Sequence, residues 1–317
     1  MTTDELRIID IFIINRTWAS VLPAVEPVAN ILRQYGAKII LDMDDFWSLE
    51  PGHAFYDEYK KKDMSAIIIK HLEMADAVIA STKYLRDAIL PYNPDVTICE
   101  NIPNELYEQF KPNPTFSDQV RFGYFGAGQH LEDIKTIEAP LAKLAFDKSL
   151  NQKYRIYMAG YHQNNAIGHQ YERIFSCDGN NDNYGRIQST DVYSYVGGYN
   201  FVDVALAPLK FNKFNTYKSE LKIVEAAWMG KTIIASALPM YRDCIEHGVD
   251  GFLVEEKRPM DWYKFMRELI LNPGMAQEMG AKLREKLTAK YDIDETTKRR
   301  YELYKRVKND IYNKGAK

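Results

Sequence analysis

Residues 215–236 read NTYKSELKIVEAAWMGKTIIAS. A polar, lysine-bearing loop leads into a helical stretch, Gly230 ends it, and the apolar run Thr232–Ser236 follows. A helix followed at once by a buried strand is one half of a strand–helix–strand unit, and the same alternation extends in both directions. Further strand candidates are Ile8–Ile14, Lys38–Leu41, Ala77–Ser81, Val96–Cys99, Arg121–Phe125, Arg155–Ala159, Val204–Pro208 and Phe252–Val254. Most are continuous apolar runs, as parallel strands covered on both faces require. Between them, Ile134, Ile137, Leu141 and Leu144 recur at spacings of three, four and three, which marks one buried helix face. Alternation of this kind predicts an α/β fold with parallel sheets.

The chain has 317 residues, 46% hydrophobic and 27% charged, an ordinary globular composition whose length suits two domains. The segment Lys111–Asp118, KPNPTFSD, interrupts the alternation with two prolines and reads as a linker. It divides the chain into two Rossmann-like domains: 1–112, small for a doubly wound half, and 119–294. Residues 164–186 are polar and rich in Gly and Asn, and read as a long loop without chemistry of their own. The last helix, Glu295–Asn313, sets Tyr301, Tyr304, Val307 and Ile311 on one stripe.

A net charge of −3 excludes a surface that is a nucleic-acid footprint throughout. The charge is uneven, however: 12 Lys/Arg against 6 Asp/Glu from Ala281 to Lys317 give that end +6 and leave −9 elsewhere. An amphipathic helix packed on protein is the plain reading of that end; a basic surface for an anionic membrane or DNA is the other. Three separated cysteines, Cys99, Cys177 and Cys244, offer no CxxC pair and fit a reducing cytoplasm. No run approaches a membrane span, and MTTDELRIID lacks the features of a signal peptide, so a soluble cytoplasmic protein is expected.

Three constellations carry candidate chemistry. Lys222 and Glu225 stand three apart, hence on one helix face, behind Lys218 and Ser219. The first turn of a helix offers N–H groups to a diphosphate, a lysine adds full positive charge, and a carboxylate accepts two hydrogen bonds from a ribose diol. Taken bare, K-x-x-E is far more often a surface ion pair. Second, the strand at Phe122 runs into Gly126-Ala127-Gly128-Gln129-His130 and then a helix, a design that lets backbone N–H groups approach an anion, although the full G-x-G-x-x-G is absent. Third, Asp44 and Asp45 follow a buried strand, with His53 close behind; ligands gather at such strand ends, and aspartates also simply form turns there.

The pattern S-x-L-K-x-x-E-A-A-x-x-G-K-x-I-I-A-S at 219–236, followed by Gly248-Val-Asp-Gly251-Phe-Leu-Val254, resembles the donor-site signature of retaining GT-B glycosyltransferases of the group 1, family 4-like type. Ala75–Thr82 and Glu100–Asn104 resemble segments of the same family. The resemblance implies two Rossmann-like domains facing a central cleft, the N-terminal one here shortened, with the last helix packing back on it. It implies a nucleotide-sugar donor, with UDP-hexose expected, bound through Gly126, Ala127, Gly128, Gln129, His130, Lys218, Ser219, Lys222 and Glu225. It implies Asp44, Asp45 and His53 on the acceptor side, retention of configuration, and no metal or cofactor beyond the co-substrate. A glutamate common eight residues before the ribose-binding one is Tyr217 here, so contacts to the donor sugar differ. Asp42-Met43-Asp44 mimics the metal motif of the GT-A class, which places it elsewhere in the chain. A GT-B epimerase and a non-catalytic nucleotide-sugar-binding subunit are the alternatives, and the acceptor is open among glycan, lipid-linked sugar, protein and modified base.

Overall fold

The computed structural model describes residues 3–126, 128–161 and 166–314. The chain forms two compact α/β units: Met1–Asn101 with Lys213–Ser219 and Ile293–Lys317, and Ile102–Asn212 with Glu220–Asp292. This grouping differs from a linear division at the proline-rich segment. Residues 111–118 bond within the second unit, where Thr115 N–H donates to the Asn200 carbonyl at 3.1 Å and Asn113 N–H to Asn200 Oδ1 at 2.7 Å.

The first unit holds four parallel strands, β1 (Ile11–Asn15), β2 (Lys38–Met43), β3 (Ala77–Ala80) and β4 (Val96–Ile98), in the order β1-β2-β3-β4. Parallel crossovers are right-handed, so strands laid down in sequence put every crossover helix on one face. The packing agrees. Leu41, Met43, Val78 and Ala80 meet Ile68 and Leu72 of helix Met64–Met74 and Leu85 and Ile89 of helix Lys83–Ile89. Ile39, on the same face, meets Ala29 and Leu32 of helix Leu22–Gln34. The opposite face, Ile40, Ala77 and Ile79, is covered by Leu303 and Val307 of helix Ile293–Lys314. The buried stripe of that helix is therefore Leu303/Val307 with Tyr304 beside it; Tyr301, expected on the stripe, is 59% exposed. The Ile311 side chain lies outside the described residues. His71 is a core histidine: its Nδ1 faces the Ile67 carbonyl at 2.6 Å, and Nε2 accepts from Ala19 N–H.

The second unit holds six parallel strands: β5 (Val120–Phe125), β6 (Tyr154–Tyr161), β7 (Tyr184–Gln188), β8 (Val204–Ala207), β9 (Thr232–Ser236) and β10 (Phe252–Val254). Their order is β10-β9-β8-β5-β6-β7. This is the doubly wound arrangement, with the order reversing between β5 and β8. The expected long loop at 164–186 instead contains helix Ala166–Ser176 and the start of β7. The helix anchors itself through Tyr171, Ile174 and Phe175, all buried, while β7 is an edge strand with little apolar content. Gly230, with φ +67°, ends helix Leu221–Trp228 in the left-handed region that glycine tolerates. None of the helices among the described residues is long and apolar enough to cross a membrane.

Candidate active site

In open parallel sheets ligands bind beyond the strand C-termini at the point where strand order reverses. In the second unit that point lies past β5 and β8, and the Gly126 loop occupies it directly. Glycine fits closely there, because a Cβ at Gly126 would meet the hydroxyl of the buried Tyr124 and force that ring to shift. Gly128 and Gln129 continue the turn, and Ala127 lies outside the described residues. His130 begins helix Leu131–Ile134 and is tied on two sides: its Nδ1 faces Asp133 Oδ2 at 2.7 Å, and its backbone N–H donates to Tyr171 Oη at 2.6 Å. Asp133 is itself 7% exposed, and its Oδ1 accepts from Lys210 N–H at 2.8 Å. One carboxylate thus joins the loop after β8 to the helix after β5 and orients the imidazole.

Helix Leu221–Trp228 delivers Lys222 and Glu225 to the same end of the sheet. The Lys222 ammonium donates to the Phe125 carbonyl, the last of β5, and lies 5.4 Å from the centre of the Tyr124 ring. The cation is fixed beside the glycine loop. Glu225 is 4% exposed, and burial pushes its carboxyl above the ordinary value near 4.5. Tyr195 Oη donates to Glu225 Oε1, Tyr199 Oη donates to Oε2 at 3.3 Å, and the Lys222 charge acts with them to favour the ionised form. Both tyrosines come from the 3-10 segment Tyr195–Phe201. They were invisible to sequence reasoning, because nothing in YVGGYNF signals a partner 26 to 30 residues away.

The remaining candidates belong to the first unit. Lys218 Nζ stands 3.6 Å from Asp45 Oδ1, and Arg16 Nη1 stands 3.8 Å from Asp45 Oδ2. Tyr217, the residue in place of a glutamate, stacks on Phe46 with ring centres 4.5 Å apart. His53 packs edge-on against Phe214 at 5.2 Å, and its Nδ1 accepts from Phe55 N–H. Asp44 is exposed, and its carbonyl accepts from Ser81 Oγ at 3.3 Å. Ser219 is half-buried at the end of this segment. Asp42 pairs with Arg300 at 2.9 Å. Thr82 caps helix Lys83–Ile89, accepting from Leu85 N–H at 3.1 Å.

Residues 123–272 match the sequence profile of glycosyl transferases group 1. A comparison with curated protein sequences finds no match. Among solved structures, sucrose-phosphate synthase from Thermosynechococcus elongatus aligns with a TM-score of 0.69 at 17% identity, over 94% of this chain and 73% of that one. HepE from Anabaena, solved in complex with UDP and glucose, aligns with a TM-score of 0.71 at 12% identity, over 95% and 79%. The trehalose-6-phosphate protein from E. coli, bound with UDP-2-fluoro glucose, aligns with a TM-score of 0.62 at 13% identity, over 95% and 73%. These likenesses and the paired parallel sheets establish the GT-B fold. The chain is a glycosyltransferase that carries its glycosyl transferases group 1 domain in the unit built around β5 and helix Leu221–Trp228.

Proposed function

We propose that the enzyme moves a hexose-like sugar from a UDP-sugar to an acceptor bound by the first unit, with retention of configuration and without a metal ion. The observation that carries this reading is the pairing of Lys222 with the end of β5 and of Glu225 with hydroxyl donors at the switch point. Glu225 accepts ribose hydroxyls, while Lys222 and the Gly126–His130 loop take the diphosphate. Support for UDP comes from the UDP and UDP-2-fluoro glucose named in two of the aligned structures.

The bond from the sugar C1 to the diphosphate breaks, UDP leaves with the electron pair, and the acceptor oxygen bonds to C1 on the same face. Fixed cationic and N–H groups stabilise the charge that develops on the leaving diphosphate, and they need no reorganisation to do so. The acceptor proton passes to a base, for which Asp44, Asp45 and His53 are the candidates. Retention rests on the sequence resemblance at 219–254. Metal independence is supported by Asp42, whose carboxylate is engaged by Arg300 rather than left to form an Asp-x-Asp pair. Incubation with UDP-sugars and a panel of glycan, lipid-linked and protein acceptors should release UDP, and EDTA should leave the rate unchanged. Loss of activity on chelation, restored by manganese, would overturn the metal-free mechanism.

A further inference from the structure

We propose that the Tyr195 hydroxyl and a ribose hydroxyl of the nucleotide compete for the same carboxylate oxygen of Glu225, which makes Tyr195 a specificity-determining residue for the donor. The inference rests on the reading of Glu225 as the ribose acceptor. Each Glu225 oxygen already accepts one phenolic O–H, from Tyr195 at Oε1 and from Tyr199 at Oε2. The carboxylate is 4% exposed, so an incoming diol reaches it by displacing one of these donors.

The two tyrosines are not equally displaceable. Tyr199 is 1% exposed, and its ring lies face to face with Phe125, centres 3.9 Å apart and planes 11° from parallel. Moving it would unpack the core under the glycine loop. Tyr195 is half-buried and opens the 3-10 segment directly after the turn 191–194, where Val192 and Tyr193 are 66% and 73% exposed. Its backbone N–H is held by the Asp191 carbonyl within that turn. Gln109 grips the turn from outside, donating to the Val192 carbonyl and accepting from Val196 N–H. With its backbone held in place, Tyr195 yields by rotating its half-buried ring toward the exposed turn, and the hydroxyl that leaves Glu225 is the one from Tyr195 rather than from the stacked Tyr199.

Exchanging one O–H donor for another on a carboxylate gains little net free energy. The native enzyme then draws little selectivity from the ribose hydroxyl that replaces Tyr195. A nucleotide lacking that hydroxyl leaves the tyrosine where it is.

The test is titration of UDP, 2′-deoxy-UDP and 3′-deoxy-UDP into the native protein, Tyr195→Phe and Glu225→Gln. The native protein should separate UDP from one of the two deoxy forms by no more than about threefold. Tyr195→Phe should bind UDP roughly 3- to 10-fold more tightly, the range expected for freeing one hydrogen-bond acceptor, and should penalise that same deoxy form more strongly. Glu225→Gln should weaken UDP binding. If Glu225→Gln weakens binding but Tyr195→Phe weakens it too or leaves it unchanged, Tyr195 positions the carboxylate and the competition is refuted while the donor site stands. If Glu225→Gln binds UDP as the native protein does, the donor assignment falls and the inference with it. Strong rejection of both deoxy forms by the native protein overturns the competition without any variant.

Discussion

Glu225 carries an unusual burden for a single side chain: a nearly inaccessible carboxylate whose proton affinity is raised by burial and held down by two tyrosines and a lysine. Because its folded pKa lies above the ordinary 4.5, its contribution to stability is fully present below the unfolded pKa and is lost as pH rises through the folded one. Ribose hydroxyls donate to the ionised form, so the dependence of binding runs the other way. UDP affinity should rise with pH across a window displaced upward from 4.5, and calorimetric titration of Glu225→Gln should lack that component while retaining the ionisation of UDP itself. At fixed neutral pH, Lys222→Ala should weaken UDP binding by about 1–3 kcal/mol, the range for a charge-assisted hydrogen bond. Unchanged titrations would remove Lys222 from the donor site. Lys222 and Glu225 were legible in the sequence because their spacing puts them on one helix face. Tyr195 and Tyr199 were not read as site residues, since their partner Glu225 is supplied by the helix after β8 rather than by local spacing.

At the scale of elements, nine of the ten strands among the described residues announce themselves as apolar runs, the six interior ones because strands inside a parallel sheet are covered on both faces. The tenth, β7, shares the edge position and burial pattern of β1 but reads YGRIQ where β1 reads IFIIN, and so offers no apolar run to detect. The last helix was legible as amphipathic, with Tyr304 and Val307 correctly on its packed side, but the aliphatic Leu303 was missed and Tyr301 misplaced. Aromatic residues drew the stripe through Tyr301, whereas the sheet selects Leu303 and Val307. The cause is geometric: a sequentially ordered sheet has one bare face, and Ile40, Ala77 and Ile79 on it match aliphatic side chains four residues apart. Leu303→Ala should therefore cost about 2–4 kcal/mol of stability, the usual range for emptying a buried leucine site. Tyr301→Ala should stay within about 0.5 kcal/mol, as exposed substitutions do. Chemical denaturation of both variants checks the register, and equal losses would restore the tyrosine stripe.

On the scale of the whole molecule, the helix Ile293–Lys314 decides between two readings of a basic C-terminal end. Its cations are answered by acids of the first unit: Arg299 by Glu100, Arg300 by Asp42, Arg306 by Asp95 and Lys308 by Asp10. That charge is directed inward, which leaves less for an anionic membrane or a nucleic acid. Apart from the short excursion Lys213–Ser219, the chain returns to the first unit after the second is finished at Asp292, so a cut there removes one layer of the first unit and nothing of the second. A protein ending at Asp292 should lose the melting transition of the first unit, whose bare sheet face exposes Ile40, Ala77 and Ile79. It should lose sugar transfer as well, since the acceptor is assigned to that unit. UDP binding should persist, because Glu225, Lys222, Tyr195 and Tyr199 all lie in the second. Differential scanning calorimetry and UDP titration on the same preparation separate the outcomes. A tether would behave oppositely: the shortened protein would melt as the full chain does, keep transfer to soluble acceptors, and lose only a salt-sensitive attachment to anionic vesicles. The inward pairing of four cations and the burial of Leu303 and Val307 argue for the first result.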